Sequence, residues 1–332
     1  NMKIAVIGRS SYTSLLKKFL NKEFIIKQYN DIKPTSSNKF KEIDILISMT
    51  WGKSIWGENL KLKVPKTTKL KLIHLPGSGT DGIDFSAIPK GCKVCNVYEH
   101  EVPISEFILA NLLNWEINLI KKIEKFKKYN WEDSMLFSKN PHGELNEKKI
   151  GILGFGRIGK EIVKKLSIFN TEITVITRKK IKKNKFFKKN IPITNIQKGI
   201  GEFDYFIIAC DLNETTLNII TKKEISMMKN TCVIINVARG PIINENDLYY
   251  CLKNSLIGGA VLDTWYKYPE SNEMRYFKPS KFNFGKLKNV IMTPHLSALS
   301  QNLLERRIRV ISNNISALKN KKKLTNVIYT EK

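Results

Sequence analysis

Lys149-Ile150-Gly151-Ile152-Leu153-Gly154-Phe155-Gly156-Arg157-Ile158-Gly159 decides the fold. An apolar run reads as a buried strand, GxGxxG as a tight turn, and residues 157–169 carry on with helical spacing. Each glycine has a task in that reading. Gly154 makes the turn, Gly156 lets a pyrophosphate approach the backbone, and Gly159 lets helix and strand pack closely. The first amides of the helix then face the phosphates. In this strand-turn-helix setting the motif predicts a dinucleotide site built on Gly154, Gly156, Arg157, Ile158 and Gly159.

The same rhythm extends in both directions. Apolar runs at 3–8, 25–29, 43–48, 70–75 and 93–97 precede the motif strand, with an amphipathic stretch at 12–20. Further runs follow at 173–177, 205–209, 231–236, 258–263 and 290–293, and helices are expected over 104–128 and 297–318. Strands alternating with helices give parallel sheets covered on both faces. A length of 332 residues suits two domains. The fold class is therefore α/β, with two doubly wound parallel-sheet domains.

Composition narrows the function classes. Hydrophobic residues at 42% and aromatics at 10% exclude disorder, collagen and coiled coil. The 57 basic residues outnumber 30 acidic ones, for a net charge of +27, yet only 8 of the 57 are Arg. Nucleic-acid readers lean on the planar guanidinium, so scattered Lys reads as a solvated surface and no nucleic-acid partner is expected. Cys92-Lys93-Val94-Cys95 has the CxxC form, but no second Cys/His pair completes a metal site. Five cysteines without framework spacing fit reduced thiols in the cytoplasm. Asn1 precedes Met2, the expected initiator, and the run that follows reads as strand and turn, not as a signal peptide. The most apolar helical stretch is broken by Glu106, Asn111, Asn114 and Glu116, so no membrane span is expected.

The strand after the motif helix bears on the choice of cofactor. NAD sites usually end this strand in an acid that holds the ribose 2′-hydroxyl. Here Ile173-Thr174-Val175-Ile176-Thr177 runs into Arg178-Lys179-Lys180, and the one nearby acid, Glu172, starts the strand. Thr177, Arg178 and Lys179 would suit a 2′-phosphate, which points to NADP(H) with NAD(H) as the second choice. The bland alternative is one more basic surface cluster within the Lys-rich run 179–189.

Three further strand ends carry chemistry. Asn236-Val237-Ala238-Arg239-Gly240 puts a cation beyond a buried strand, Ala260-Val261-Leu262-Asp263 ends another in a carboxylate, and Thr293-Pro294-His295 places one of four histidines after a third. Taken singly they could be an ion pair, a helix cap and a satisfied core histidine. Together with GxGxxG they resemble the D-isomer-specific 2-hydroxyacid dehydrogenase family, a likeness that also takes in Pro76-Gly77-Ser78-Gly79-Thr80-Asp81-Gly82-Ile83-Asp84, Ser105-Glu106 and Met228-Lys229.

That resemblance implies a split flavodoxin-like substrate domain (1–101 with 298–332) and a Rossmann cofactor domain (102–297), usually in a homodimer. It implies that Arg239 clamps a 2-oxo acid and that His295 is the acid/base. The Gly77-Ser78-Gly79 backbone would hold the carboxylate. Ala238 and Asp263 would contact the cofactor, Asp263 at the nicotinamide carboxamide. The implied activity is hydride transfer between NADP(H) and a small 2-oxo or 2-hydroxy acid, as in glyoxylate and hydroxypyruvate reductases. A dinucleotide-sensing protein of the same fold, with little turnover, is the alternative.

Several positions depart from the family pattern. Five residues beyond Asp263, where the family usually has a Glu that raises the pKa of the catalytic His, stands Tyr268. His295 is therefore expected to titrate lower than in relatives that keep the Glu, unless Glu270 substitutes. His100 stands where many relatives carry Asn near the substrate, and Asp211 where Pro is common. Trp51 falls in a loop that often faces substrate, or else belongs to the core. Trp51, His100 and Tyr268 are thus the candidate substrate contacts beside the Gly77–Gly79 backbone.

Overall fold

Unbroken runs of Val, Ile and Leu make strands that are buried on both faces, and the amphipathic stretches between them supply the covering helices. The computed structural model describes residues 1–8, 10–29, 41–53, 64, 68–182, 184–269 and 274–331. The chain divides into two units. The first comprises Asn1–Glu99, Tyr268–Arg275 and Ser300–Lys332, and the second His100–Lys267 and Tyr276–Leu299.

In the first unit β1 (Met2–Ile7), β2 (Phe24–Tyr29), β3 (Ile45–Ile47), β4 (Leu72–His74) and β5 (Lys93–Cys95) run parallel in the order β5-β4-β3-β1-β2. A strand not expected from the sequence, β13 (Val327–Thr330), adds antiparallel beside β5. Alternate strand residues point to opposite faces. Ile4, Val6, Ile45 and Ile47 pack with Leu16 of helix α1 (Ser10–Phe19) and with Ile308, Ile311 and Ile315 of the last helix, α7 (Leu303–Lys319). Ala5, Leu46, Ile73 and Val94 pack on the other face. The last helix was expected from residue 297 but starts at Leu303, and residues 293–302 form loop and turns instead.

The second unit holds β6 (Lys149–Leu153), β7 (Glu172–Thr177), β8 (Lys189–Pro192), β9 (Tyr205–Ile208), β10 (Val233–Asn236), β11 (Gly259–Leu262) and β12 (Val290–Met292). All are parallel, in the order β12-β11-β10-β9-β6-β7-β8. The chain leaves β6 toward β7 on one side and returns to β9 on the other. The carboxyl ends at such a switch point are where ligands bind. Its helices are α2 (Glu101–Ile117), α3 (Leu119–Phe126), α4 (Arg157–Leu166), α5 (Lys222–Met227) and α6 (Glu245–Lys253). The single helix expected over 104–128 is two, because Asn118 adopts φ 56° and breaks it. Asn is among the few residues that enter the left-handed region readily.

Candidate active site

The β6–α4 turn has the backbone that the glycines demand. Gly154 sits at φ 105°, and a Cβ there would lie 2.6 Å from the Ala209 carbonyl oxygen. A Cβ on Gly159 would lie 2.2 Å from the Gly154 carbonyl oxygen, so helix and turn touch only because residue 159 is glycine. A Cβ on Gly156 would meet nothing within 4 Å, which leaves room for a phosphate against the backbone. Gly156 is the N-cap of α4 and offers no side chain to its amides. The first bond across this start runs from Lys160 N to Gly156 O, at 3.0 Å. The amides of Arg157, Ile158 and Gly159 precede it, at the end of a helix that favours anions. Burial of Gly159, Ile162, Val163 and Leu166 fixes that helix to the sheet. The turn fits a dinucleotide pyrophosphate.

At the end of β7, Arg178 and Lys179 are exposed. Arg178 lies close enough to Cys210, just past β9, to act on its thiol, whose pKa burial pushes up to about 12. Glu172 opens β7 and pairs with Lys188 at 2.6 Å, so this acid stands at the opposite edge of the sheet. The Thr177 hydroxyl donates to the Lys179 carbonyl (2.7 Å) and accepts from Asn190 Nδ2 (2.8 Å). Its proton therefore shapes the turn, which corrects its expected use as a donor to phosphate. Asn190 was missed in the sequence. It also accepts from Ile181 N (2.9 Å), and so folds the β7 exit from its place on β8.

The exits of β10, β11 and β12 are tied to one another. Asn236 accepts from Ala238 N (3.1 Å) and donates to the Arg239 carbonyl (2.9 Å), which turns the chain so that Arg239 follows β10 at once. Arg239 Nη1 donates to the Ala238 carbonyl at 2.8 Å. Asp263 is wholly buried. Its Oδ1 accepts from Thr293 Oγ1 (2.6 Å) and Leu296 N (2.8 Å), and its Oδ2 from Ser297 N (3.0 Å). No part of Asp263 reaches the surface, so the carboxamide contact expected of it is not open in this arrangement. Its carboxylate instead clamps the loop that carries His295.

His295 stands in that loop at φ 57° and is exposed. The surrounding protein still desolvates its ring, and this is the largest influence holding its pKa below the ordinary 6.5. The positive charge of Arg239 acts in the same direction, and Asp263 opposes both. A cation beyond β10 and a titrating imidazole beyond β12 thus act on each other across the exit of β11, an arrangement suited to a carbonyl oxygen that gains negative charge.

The remaining candidates are distributed as follows. In the first unit, the Gly77 carbonyl accepts from Val97 N (3.1 Å) and the Ser78 carbonyl from Asn96 Nδ2 (3.0 Å), while Gly79 is half-buried just beyond. Arg307, another residue missed in the sequence, donates Nε to the Tyr98 carbonyl (2.8 Å) and Nη1 to that of Pro76 (3.4 Å), which fixes both loops. Trp51 is fully buried and its Nε1 donates to the Ala87 carbonyl at 2.8 Å. This corrects its reading as a substrate contact: the indole belongs to the core. His100 is buried at the start of α2. Tyr268 is half-buried in the short segment grouped with the first unit, and Glu270 lies outside the described residues.

Cys92 and Cys95 are buried thiols whose pKa burial pushes up to about 12, the inert end of cysteine chemistry. Among the described residues no cluster of His, Cys, Asp and Glu could hold a metal, and no helix is long and apolar enough to cross a membrane.

Comparison with known proteins agrees with this geometry. The family model described as D-isomer specific 2-hydroxyacid dehydrogenase, NAD binding domain, matches residues 109–297. The glyoxylate reductase of Pyrococcus horikoshii is 27% identical over 316 residues, covering 91% of this chain and 89% of its own. A D-isomer specific 2-hydroxyacid dehydrogenase family protein from Aeromonas salmonicida shares the fold with a TM-score of 0.78 at 19% identity, over 99% of each chain. The NADPH-dependent glyoxylate/hydroxypyruvate reductase of Sinorhizobium meliloti, solved with NADP and sulfate, shares it with a TM-score of 0.75 at 17% identity, over 99% of this chain and 98% of its own.

Proposed function

The chain belongs to the D-isomer-specific 2-hydroxyacid dehydrogenase family, and on that premise we propose that it is an NADP(H)-dependent reductase of small 2-oxo acids of the glyoxylate and hydroxypyruvate kind. It is an NAD(P)-dependent oxidoreductase by family; the choice of cofactor and of substrate is our reading. The observation that carries it is the Arg239–His295 pair, close enough for the guanidinium to act on the imidazole.

The bound dinucleotide supplies the hydride. Arg239 holds the carboxylate and carbonyl oxygen of the 2-oxo acid, and its charge stabilises the oxygen as negative charge builds there. His295, in its protonated form, gives the proton to that oxygen, and in its neutral form takes it back in the reverse direction. The Gly77-Ser78-Gly79 backbone, His100 and Tyr268 are our further candidates for substrate recognition. Gly154, Gly156 and the amides of residues 157–159 hold the pyrophosphate, with Ala238 beside the cofactor. Arg178 and Lys179 hold the 2′-phosphate. Support for NADP(H) comes from the basic, acid-free exit of β7 and from the NADP bound to the Sinorhizobium meliloti reductase.

The reading extends to a homodimer in the cytoplasm. Helix α3 buries none of its residues, and Ile120, Ile123 and Phe126 are exposed on it. Tyr129 at 85% exposure, Met135, Leu136 at 78% and Phe137 follow closely. Apolar surface gathered in one segment marks an interaction site, and a second copy of the chain is the partner we assign to it. Light scattering coupled to size exclusion tests this, and a monomer at micromolar concentration overturns it. Five free cysteines suit a reducing compartment.

The test of function is oxidation of NADPH and NADH, measured in parallel, against glyoxylate, hydroxypyruvate, pyruvate and larger 2-oxo acids. Turnover preferring NADPH, and falling about 10³-fold in Arg239→Ala, is the expected result. Equal use of NADH removes the cofactor preference alone. Tight dinucleotide binding without turnover on any substrate overturns the enzyme reading.

A further inference from the structure

Thr293 is the knot between two strand exits. Its hydroxyl donates to Asp263 Oδ1 at 2.6 Å, and its carbonyl accepts from Trp265 Nε1 at 2.8 Å. Its amide donates to the Leu262 carbonyl at 3.0 Å, continuing the β11–β12 ladder by one more bond. Three polar groups of one residue therefore bond to the segment 262–265, two residues before His295. Beyond His295 the amides of Leu296 and Ser297 close on the same carboxylate, so the histidine is bracketed on both sides. The bracket holds a non-glycine residue at φ 57°, a conformation that a looser loop would leave.

The segment that receives these bonds is itself fixed. Asp263 N donates to the Asn236 carbonyl at 3.1 Å, which joins the β11 exit to that of β10. A Cβ on Gly240 would lie 2.5 Å from the Trp265 carbonyl carbon, so the residue after Arg239 rests directly on the Trp265 backbone. The Trp265 ring is buried and meets Phe284 edge-on, with centroids 6.0 Å apart, and Phe284 meets Tyr249 at 5.3 Å. The β11 exit thus lies between Arg239 on one side and His295 on the other, and touches the backbone that carries each.

We propose that Thr293, through the Asp263 carboxylate and the Trp265 indole, is a positioning residue that sets His295 in register with Arg239. It touches neither substrate nor reacting atoms. Its hydroxyl and carbonyl decide where the imidazole stands. The inference rests on His295 being the acid/base. Misplacement of a reacting group by about 1 Å can cost on the order of 100-fold in rate, so the loss should appear in kcat.

The test compares Thr293→Val, Thr293→Ser, Trp265→Phe and His295→Ala in the full-length enzyme, by steady-state kinetics, dinucleotide titration and thermal melts. Thr293→Val keeps shape and removes the hydroxyl. We expect kcat to fall about 10- to 100-fold with the dinucleotide Kd within about twofold. Thr293→Ser restores the donor and should recover most of the rate. Wild-type kcat in Thr293→Val beside an inactive His295→Ala overturns the proposal alone, as do equal losses in Thr293→Val and Thr293→Ser. Full activity in His295→Ala overturns the underlying assignment of the acid/base. Should Thr293→Val not fold, Trp265→Phe decides. It keeps a ring in the buried site, deletes the bond to the Thr293 carbonyl and trims the indole's volume, and an unchanged kcat there also overturns the proposal.

Discussion

Each sheet ends a parallel strand near a histidine, and the two residues have opposite fates. His74, the last residue of β4, is fully buried. Its Nδ1–H donates to the Leu75 carbonyl (3.1 Å), and its Nε2 accepts from Asn314 Nδ2 (3.0 Å). Burial pulls its pKa down to about 4, so the ring stays neutral. His295, beyond β12, is exposed, sits in the left-handed region, and is flanked by one acid and one cation. A strand end supplies either kind of site. Fixed neutral partners on both ring nitrogens make the residue structural, whereas charged neighbours around an accessible ring leave it able to exchange a proton.

The largest effect that can break this contrast is on turnover. His295→Gln should lower kcat about 10³-fold with little change in dinucleotide Kd, while His74→Gln leaves kcat within about threefold and lowers the melting temperature. Comparable losses of kcat would erase the distinction. The next effect is on stability. The folded pKa of His74 lies below its unfolded value, so His74 has no influence on stability above about pH 6.5. As pH falls from there to 4, the unfolded chain takes up a proton that the folded chain refuses, and stability declines by on the order of 3 kcal/mol. Urea midpoints across that window should fall more steeply in the wild type than in His74→Gln, and parallel curves would count against the burial argument.

A smaller effect concerns the cofactor. Arg178→Ala should raise KM for NADPH about 10-fold and leave that for NADH nearly unchanged. Equal changes for both would return Arg178 to the basic surface. The smallest is the pH midpoint of the reductive direction. That direction needs protonated His295, so rates should fall as pH rises, with a midpoint below 6.5. A midpoint above 6.5 would mean that Asp263 outweighs burial and Arg239 together.

The sequence made some parts of this arrangement legible and hid others. GxGxxG was readable because its turn and its helix packing admit only glycine at Gly154 and Gly159, which meet their neighbours accordingly, while Gly156 leaves open the space in front of the backbone. Buried strands were readable as continuous apolar runs. The break at Asn118 was not, because a single left-handed residue leaves the hydrophobic rhythm on either side intact. Strand β13 escaped because it pairs at one edge of its sheet and is only partly buried, which gives it no strong pattern. Within the site, Arg239 and His295 could be picked out by residue type. The use of the Asp263 carboxylate could not, since it depends on a loop thirty residues onward that turns two amides toward it. Asn190 and Arg307 are of the same kind, side chains that bond distant carbonyls and amides and so leave no local signature.

Helix α7 and strand β13 complete a unit whose other strands come from the first hundred residues. During synthesis β1 to β5 leave the ribosome with α1 in place but its partner on the same face, α7, still missing, and with β5 lacking its antiparallel neighbour. The whole of the dinucleotide-binding unit must be made before either arrives. Domains fold as units while the chain is still being made, and uncovered apolar surface invites aggregation or chaperone binding. The dinucleotide-binding unit can therefore finish folding before the unit that holds β1 to β5, although those strands are made ahead of it.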